Sequence, residues 1–145
     1  MIDKRIEVKH GIIDNNTVGL TNSYNIIEKY GDNYNKVNHN NYSIELKYKN
    51  LGMSFYYKYN DLLEMIFAIK ISTEFNSLIN YDIEINKDTT IYEIMKEYGF
   101  VDYFEHGTGS KEAYISYSGI SFGVNASDIS RLDIKQIKIT SVEVS

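Results

Sequence analysis

Residues 21–31, TNSYNIIEKYG, recur 68 positions later as residues 89–99, TTIYEIMKEYG. Thr21, Tyr24, Ile26 and the pair Tyr30-Gly31 match Thr89, Tyr92, Ile94 and Tyr98-Gly99 at one constant offset. Both copies space apolar residues as a helix does: Tyr24, Ile27 and Tyr30 in the first, Ile91, Ile94, Met95 and Tyr98 in the second. Thr21 and Thr89 stand where a hydroxyl can accept from the free N–H groups of a first turn. Gly31 and Gly99 follow the last apolar residue, where the positive φ open to glycine ends a helix. The spacing predicts short helices over residues 21–30 and 89–98.

The match extends outward from these segments. Gly52-Met53-Ser54-Phe55 lies 67 positions before Gly119-Ile120-Ser121-Phe122, and Asp61 keeps that offset to Asp128. Ile66, Ile69 and Ile71 lie 68 positions before Ile134, Ile137 and Ile139. An offset that drifts by one residue over this span indicates an internal duplication. The expected organisation is one domain over residues 1–145, built of two repeats at about 11–72 and 83–140.

Strand-like sequence follows each helix. Tyr42, Ile44, Leu46 and Tyr48 alternate with Ser43, Glu45 and Lys47, the period of a strand with one buried face. Asn50 to Gly52 and Asn60-Asp61 are turn signals, giving strands at 42–48, 53–59 and 63–72. The second copy repeats this at 112–117, 120–125 and 132–140, with Ser118-Gly119 and Ser127-Asp128 as turns. Residues 73–82 read as a short helical connection, and 141–145 as an extension of the last strand. The expected fold class is therefore α+β: two helix-plus-three-strand repeats forming one antiparallel sheet, with helices on one face and an open concave face. Alternation assigns Met53, Phe55, Tyr57, Ile120, Phe122 and Val124 to the helix side. Ser54, Tyr56, Lys58, Ser121, Gly123 and Asn125 fall on the open side.

This order resembles the tandem-repeat beta-lactamase inhibitor protein family and the single-repeat small outer-membrane assembly lipoproteins. The residues that carry the resemblance are Thr21, Tyr30-Gly31, Tyr48, Gly52 to Phe55 and Ile66 to Ile71, with their second-copy counterparts. The resemblance covers roughly residues 11–140 and implies a protein that binds another protein on the concave sheet face, without chemistry. The chain lacks both the disulfides of the secreted inhibitor and the lipidated cysteine of the lipoproteins, since it has no cysteine at all. A cytoplasmic protein of this shape is more similar to an immunity protein that neutralises a toxin.

Composition bounds the function classes. Zero cysteines exclude disulfides, thiolate metal sites and thiol nucleophiles. No apolar run approaches the roughly 20 residues of a spanning helix. Lys and Arg number 15 against 20 Asp and Glu, a net charge of -5 that argues against a nucleic-acid phosphate surface. Residues 1–11 alternate charge with single apolar residues and lack the apolar core of an export signal, so the expected location is cytoplasmic.

Chemistry-bearing constellations are scarce. His10, His39 and His106 have no partner at metal-ligand spacing, and His39 and His106 occupy equivalent positions after the two Tyr-Gly pairs. Residues 107–111, GTGSK, lack the phosphate-loop spacing, and no GxSxG elbow surrounds any serine. Asp82 with Glu84, and Asp128 with Asp133, form no diagnosable acid-base pair, and Asp14-Asn15-Asn16 reads as a turn. No catalytic residue, metal or cofactor is expected. What stands out is tyrosine, 14 in all, with Phe55 to Tyr59 placing aromatics on both faces of one strand. Tyrosine offers a large rigid surface with a polar end, as protein interfaces favour. The expected partner-binding residues are Tyr34, His39, Tyr56, Lys58, Tyr59, His106 and Tyr114, and the expected partner is a toxin or enzyme, with no nucleic acid and no membrane. An envelope-associated assembly factor and a small-ligand binding module are the alternatives.

Overall fold

A computed structural model describes residues 5–80, 83–99, 101, 103–106 and 111–145. The described residues include two capped α-helices. α1 (Ser23–Tyr30) and α2 (Ile91–Tyr98) each have eight residues. Their N-caps are Asn22 and Thr90, one residue beyond the expected threonines, and each forms a reciprocal capping box with Asn25 or Glu93. Thr21 and Thr89 serve the preceding turns instead, where their hydroxyls accept from the N–H groups of Thr17 and Asn86. Gly31 and Gly99 close the helices at φ 90° and 85°, as the sequence predicts. Ile26, Ile91 and Ile94 form the buried stripe, whereas Tyr24 points outward.

Most of the remaining chain is extended. The strands are β1 (Arg5–Lys9), β2 (Ile12–Ile13), β3 (Asn16–Thr17), β4 (Asn35–His39), β5 (Ser43–Tyr48), β6 (Met53–Lys58), β7 (Ile66–Ser72), β8 (Ser77–Asn80), β9 (Ile83–Ile85), β10 (Tyr103–His106), β11 (Glu112–Tyr117), β12 (Ile120–Asn125) and β13 (Ile139–Val144). They form an eight-stranded sheet in the order β10-β11-β12-β13-β7-β6-β5-β4 and a five-stranded sheet in the order β3-β2-β1-β8-β9. The first is antiparallel throughout, and the second contains the parallel pair β1·β8.

The α+β expectation is overturned. The chain is mostly β, with two sheets in place of one, and a helix-plus-three-strand repeat with helices on one face is not the architecture. The five-stranded sheet draws on segments read otherwise in the sequence. Residues 5–9 alternate because Ile6 and Val8 are buried strand residues, and residues 73–82, expected to be helical, contain β8. Buried side chains from both sheets and both helices form one core cluster, including Val8, Ile13, Leu78 and Ile85 from the smaller sheet.

Several contacts recur between the halves. Tyr48 donates to the Gly31 carbonyl (2.8 Å) and Tyr117 to the Gly99 carbonyl (3.0 Å), tying each helix end to a strand. Tyr30 stacks on Phe55 and Tyr98 packs tilted against Phe122, with ring centroids 5.4 and 5.2 Å apart. The isoleucine match is the exception. Met65 bridges Asn22 and Lys138 bridges Thr90, so β7 corresponds to β13 and Ile66 to Ile139, not to Ile134. Residues 129–138 are largely turns, which delays the last strand to 139–144. The alternation within the middle strands holds, for Met53, Phe55, Tyr57, Ile120, Phe122 and Val124 are all buried.

Candidate functional site

The side of the eight-stranded sheet opposite the buried row carries polar residues from five of the six consecutive strands between β11 and β5. Glu45 and Lys47 lie on β5, Ser54 and Tyr56 on β6, Lys70 on β7, Ser141 on β13, and Glu112 and Tyr114 on β11. Strand alternation places them there because Ile44, Leu46, Phe55, Ile69, Ile71 and Ile115 face the core.

Two bulges shape this face. The register of β12 on β13 shifts so that Gly123 pairs with Ser141 while Val124 pairs with Ile139, leaving Thr140 as the extra residue. Adjacent strand residues ordinarily point to opposite faces, but here both hydroxyls reach one carboxylate oxygen. Thr140 donates to Glu112 Oε2 at 2.7 Å and Ser141 at 2.9 Å. The other oxygen, Oε1, takes Lys70 Nζ and the Tyr114 hydroxyl (3.1 Å), and Lys70 also donates to Tyr114 at 2.8 Å. Gly123 makes the arrangement possible: a Cβ there would stand 2.2 Å from Ser141 Oγ and 2.7 Å from Glu112 Oε2. Burial disfavours both charges, yet the mutual hydrogen bonds outweigh it. They hold Glu112 below the ordinary carboxylate range and Lys70 above the ordinary lysine value. Burial raises the Tyr114 pKa as well.

The second bulge lies between β6 and β7, where Tyr56 pairs with Ala68 and Tyr57 with Ile66, leaving Phe67 extra. Phe67 stacks near Tyr56 at 28°, with centroids 6.5 Å apart. Tyr56 lies beside His39, 6.2 Å between centroids. His39 Nε2 meets Glu45 Oε1 at 2.8 Å, and Ser54 donates to Glu45 Oε2. Burial pushes the Glu45 pKa up, but those two contacts pull it below the carboxylate range. Burial, with the Glu45 charge next, raises the Tyr56 phenol. The Tyr56 hydroxyl itself has no hydrogen-bond partner among the described residues.

A cleft of about 440 Å³ opens over this floor. Glu45, Ser54, Tyr56, Lys70, Glu112, Thr140 and Ser141 line its base, joined by Lys47 and Lys49 from β5 and the turn after it and by Glu74 and Phe75 from the segment after β7. The Phe75 segment is braced. Asn76 Nδ2 donates to the carbonyls of Leu51 (2.9 Å) and Ser72 (3.0 Å), and Gly52, at φ 65°, lies against Asn76 and Phe75.

The expected binding residues distribute unevenly. His39, Tyr56 and Tyr114 come together on this face. Lys58 is exposed at the end of β6 and lines a separate depression of about 230 Å³ with Asp61 and Phe67. Tyr59 follows it, 40% exposed, and its backbone bonds to Tyr42. Tyr34 packs on the core residue Tyr48, 5.5 Å between rings. The backbone of His106 pairs with Ala113 at the end of β10, and its side chain lies outside the described residues, as do residues 107–110 and Asp82. Lys70 and Glu112 escaped the sequence reading. Each looks like an ordinary strand charge, and only the strand order β11-β12-β13-β7 brings them within reach. Among the described residues no group of three His, Asp or Glu could hold a metal ion. No described helix is long and apolar enough to cross a membrane. No known family, curated protein or solved structure matches the chain.

Proposed function

We propose that this chain is a non-enzymatic binding protein of the immunity or inhibitor type, engaging a toxin or enzyme in the cytoplasm through the polar face of its eight-stranded sheet. One observation carries the reading: a cleft whose floor is fixed by the Glu112 and Glu45 networks also presents the half-buried, unpartnered hydroxyl of Tyr56. Preorganised polar groups and rigid aromatics suit recognition, because little conformational freedom is lost on docking. The chemistry of Lys70 supports binding over catalysis. An ammonium held by Glu112 and Tyr114 stays protonated at neutral pH and serves neither as a general base nor as a nucleophile.

Affinity capture from the native cell tests this, comparing the wild type with Tyr56→Ala and with the exposed variant Lys58→Glu. A specific protein should be retained by the wild type and reduced at least tenfold by one of these changes. Equal recovery with all three proteins, or no retained protein, contradicts the reading. A second reading, a small-ligand module, draws on the cleft volume, which falls within the range of small-molecule sites. Native mass spectrometry of the protein from its own cells separates the two, since a retained small molecule would add a discrete mass.

A further inference from the structure

We infer that the cleft recognises an acidic segment of the partner protein in which a carboxylate side chain stands beside an aromatic or apolar one. This rests on the partner-binding reading and adds the chemistry of what is bound. The inference comes from which polar groups of the cleft are already engaged. Glu112 takes Lys70, Thr140, Ser141 and Tyr114, and Glu45 takes His39 and Ser54. Both floor carboxylates are therefore engaged by donors of the chain itself, and Glu112 compensates the charge of Lys70 in place.

The neighbouring lysine donors are not occupied. Lys47 follows Glu45 at a two-residue step on the same face of β5, and Lys49 stands in the turn just beyond the strand. Both are exposed, and neither has an ion-pair or side-chain hydrogen-bond partner among the described residues. They also border a smaller depression of about 140 Å³, whose lining includes Asn33, Asn35 and Asn50, so amide donors lie on the far side of the lysine ridge. Tyr56 adds a free hydroxyl at the base. A ligand that satisfies this set brings anionic oxygens.

Phe75 is 67% exposed and lies against Gly52, beside the segment that Asn76 ties to the Leu51 and Ser72 carbonyls, and it presents an apolar surface to the same cleft. Glu74, also exposed, precedes it in that segment. Lysines from β5 and its turn thus meet Phe75 and one acid from the segment after β7 at a single cleft, which pairs a carboxylate with Lys47 and Lys49 and its apolar neighbour with Phe75. A nucleic acid, whose affinity rests on neutralising many phosphates, would meet an acidic molecule of net charge -5.

The test uses a fluorescein-labelled hexapeptide alternating glutamate with phenylalanine, a control with glutamine in place of glutamate, and a labelled six-nucleotide single-stranded DNA. Fluorescence anisotropy should show saturable binding of the acidic peptide, with the glutamine control about tenfold weaker or worse and the DNA weaker still. The double variant Lys47→Glu/Lys49→Glu should lose about tenfold for the acidic peptide, and Phe75→Ala several-fold. All three side chains are exposed, so an unchanged melting temperature should confirm that folding is intact. Amide chemical-shift changes should cluster at residues 45–56 and 72–76. Equal affinity for the glutamine peptide, preference for DNA, shifts elsewhere or no saturable binding overturns the inference. If partner capture depends on Tyr56 or Lys58 but not on Lys47 and Lys49, the acidic-segment chemistry falls and the binding face stands.

Discussion

Gly123 is where a single atom decides most. Its φ is ordinary, so the constraint is space: a methyl group would collide with Ser141 Oγ and Glu112 Oε2. Overpacking of this kind costs roughly 1–3 kcal/mol. Gly123→Ala should therefore lower the unfolding free energy by about 2 kcal/mol in denaturant titration, and adding Ser141→Ala should recover part of it. A neutral Gly123→Ala would mean that the carboxylate does not sit across the strand as described. Core aromatics give the contrasting case. Phe55 and Phe122 are fully buried beneath Tyr30 and Tyr98, and truncation of either to alanine should cost about 3–5 kcal/mol. At this scale the sequence was readable wherever alternation speaks: the burial of Phe55 and Phe122 followed from their period-two step with Met53 and Tyr57 and with Ile120 and Val124. Glu45 shows the limit. It sits at an outward position and is only 8% exposed, because His39 and Ser54 close over it. Nothing in the spacing of β5 announces that partnership.

At the level of elements, the helices were legible because start, stripe and stop signals occur within eleven residues. The N-cap assignment moved by one position, since two polar residues stand side by side at each start and local spacing does not choose between them. Asn22→Ala and Thr90→Ala should each cost about 1 kcal/mol in thermal or chemical unfolding, because each leaves a first-turn N–H unsatisfied. The edge strands were less legible. β4 has the sequence NKVNH with one apolar residue, so hydrophobic periodicity is silent, and the ladder to β5 makes it a strand. β13 was displaced by a different cause. Ile134 and Ile137 supply a false match at the 68-residue offset, whereas the bridges at Met65 and Lys138 show where the strand pairs. The bulge at Thr140 that builds the Glu112 site lies in that displaced segment, so the candidate site was hidden for the same reason.

For the whole molecule, the second sheet is the main departure from the sequence reading. Its strands are short and scattered from residue 5 to residue 85, and a parallel pairing of β1 with β8 joins segments about 70 residues apart. No local pattern encodes such a contact. The electrostatics also act globally. Glu112 and Glu45 have folded pKa values below their unfolded ones, so their stabilising contribution is present above the ordinary carboxylate value of about 4.3 and is lost as pH falls through the folded value. Lys70 has the opposite sign: its contribution is present below about 10.4 and is lost as pH rises through its raised folded value. Unfolding free energy should therefore decline on acidification below about pH 4.5, with a slope of up to about 1.4 kcal/mol per pH unit for each group. Glu112→Gln should flatten that slope while lowering stability at pH 7, where it removes the charge that compensates Lys70. An unchanged slope would show that the carboxylate is not held low.

The most direct test of the binding face is hydrogen–deuterium exchange on the complex formed with the captured partner. Exchange should slow in β5, β6 and residues 72–76, with the five-stranded sheet and the exposed sides of α1 and α2 unchanged. Protection confined to the helices or to the five-stranded sheet would contradict it.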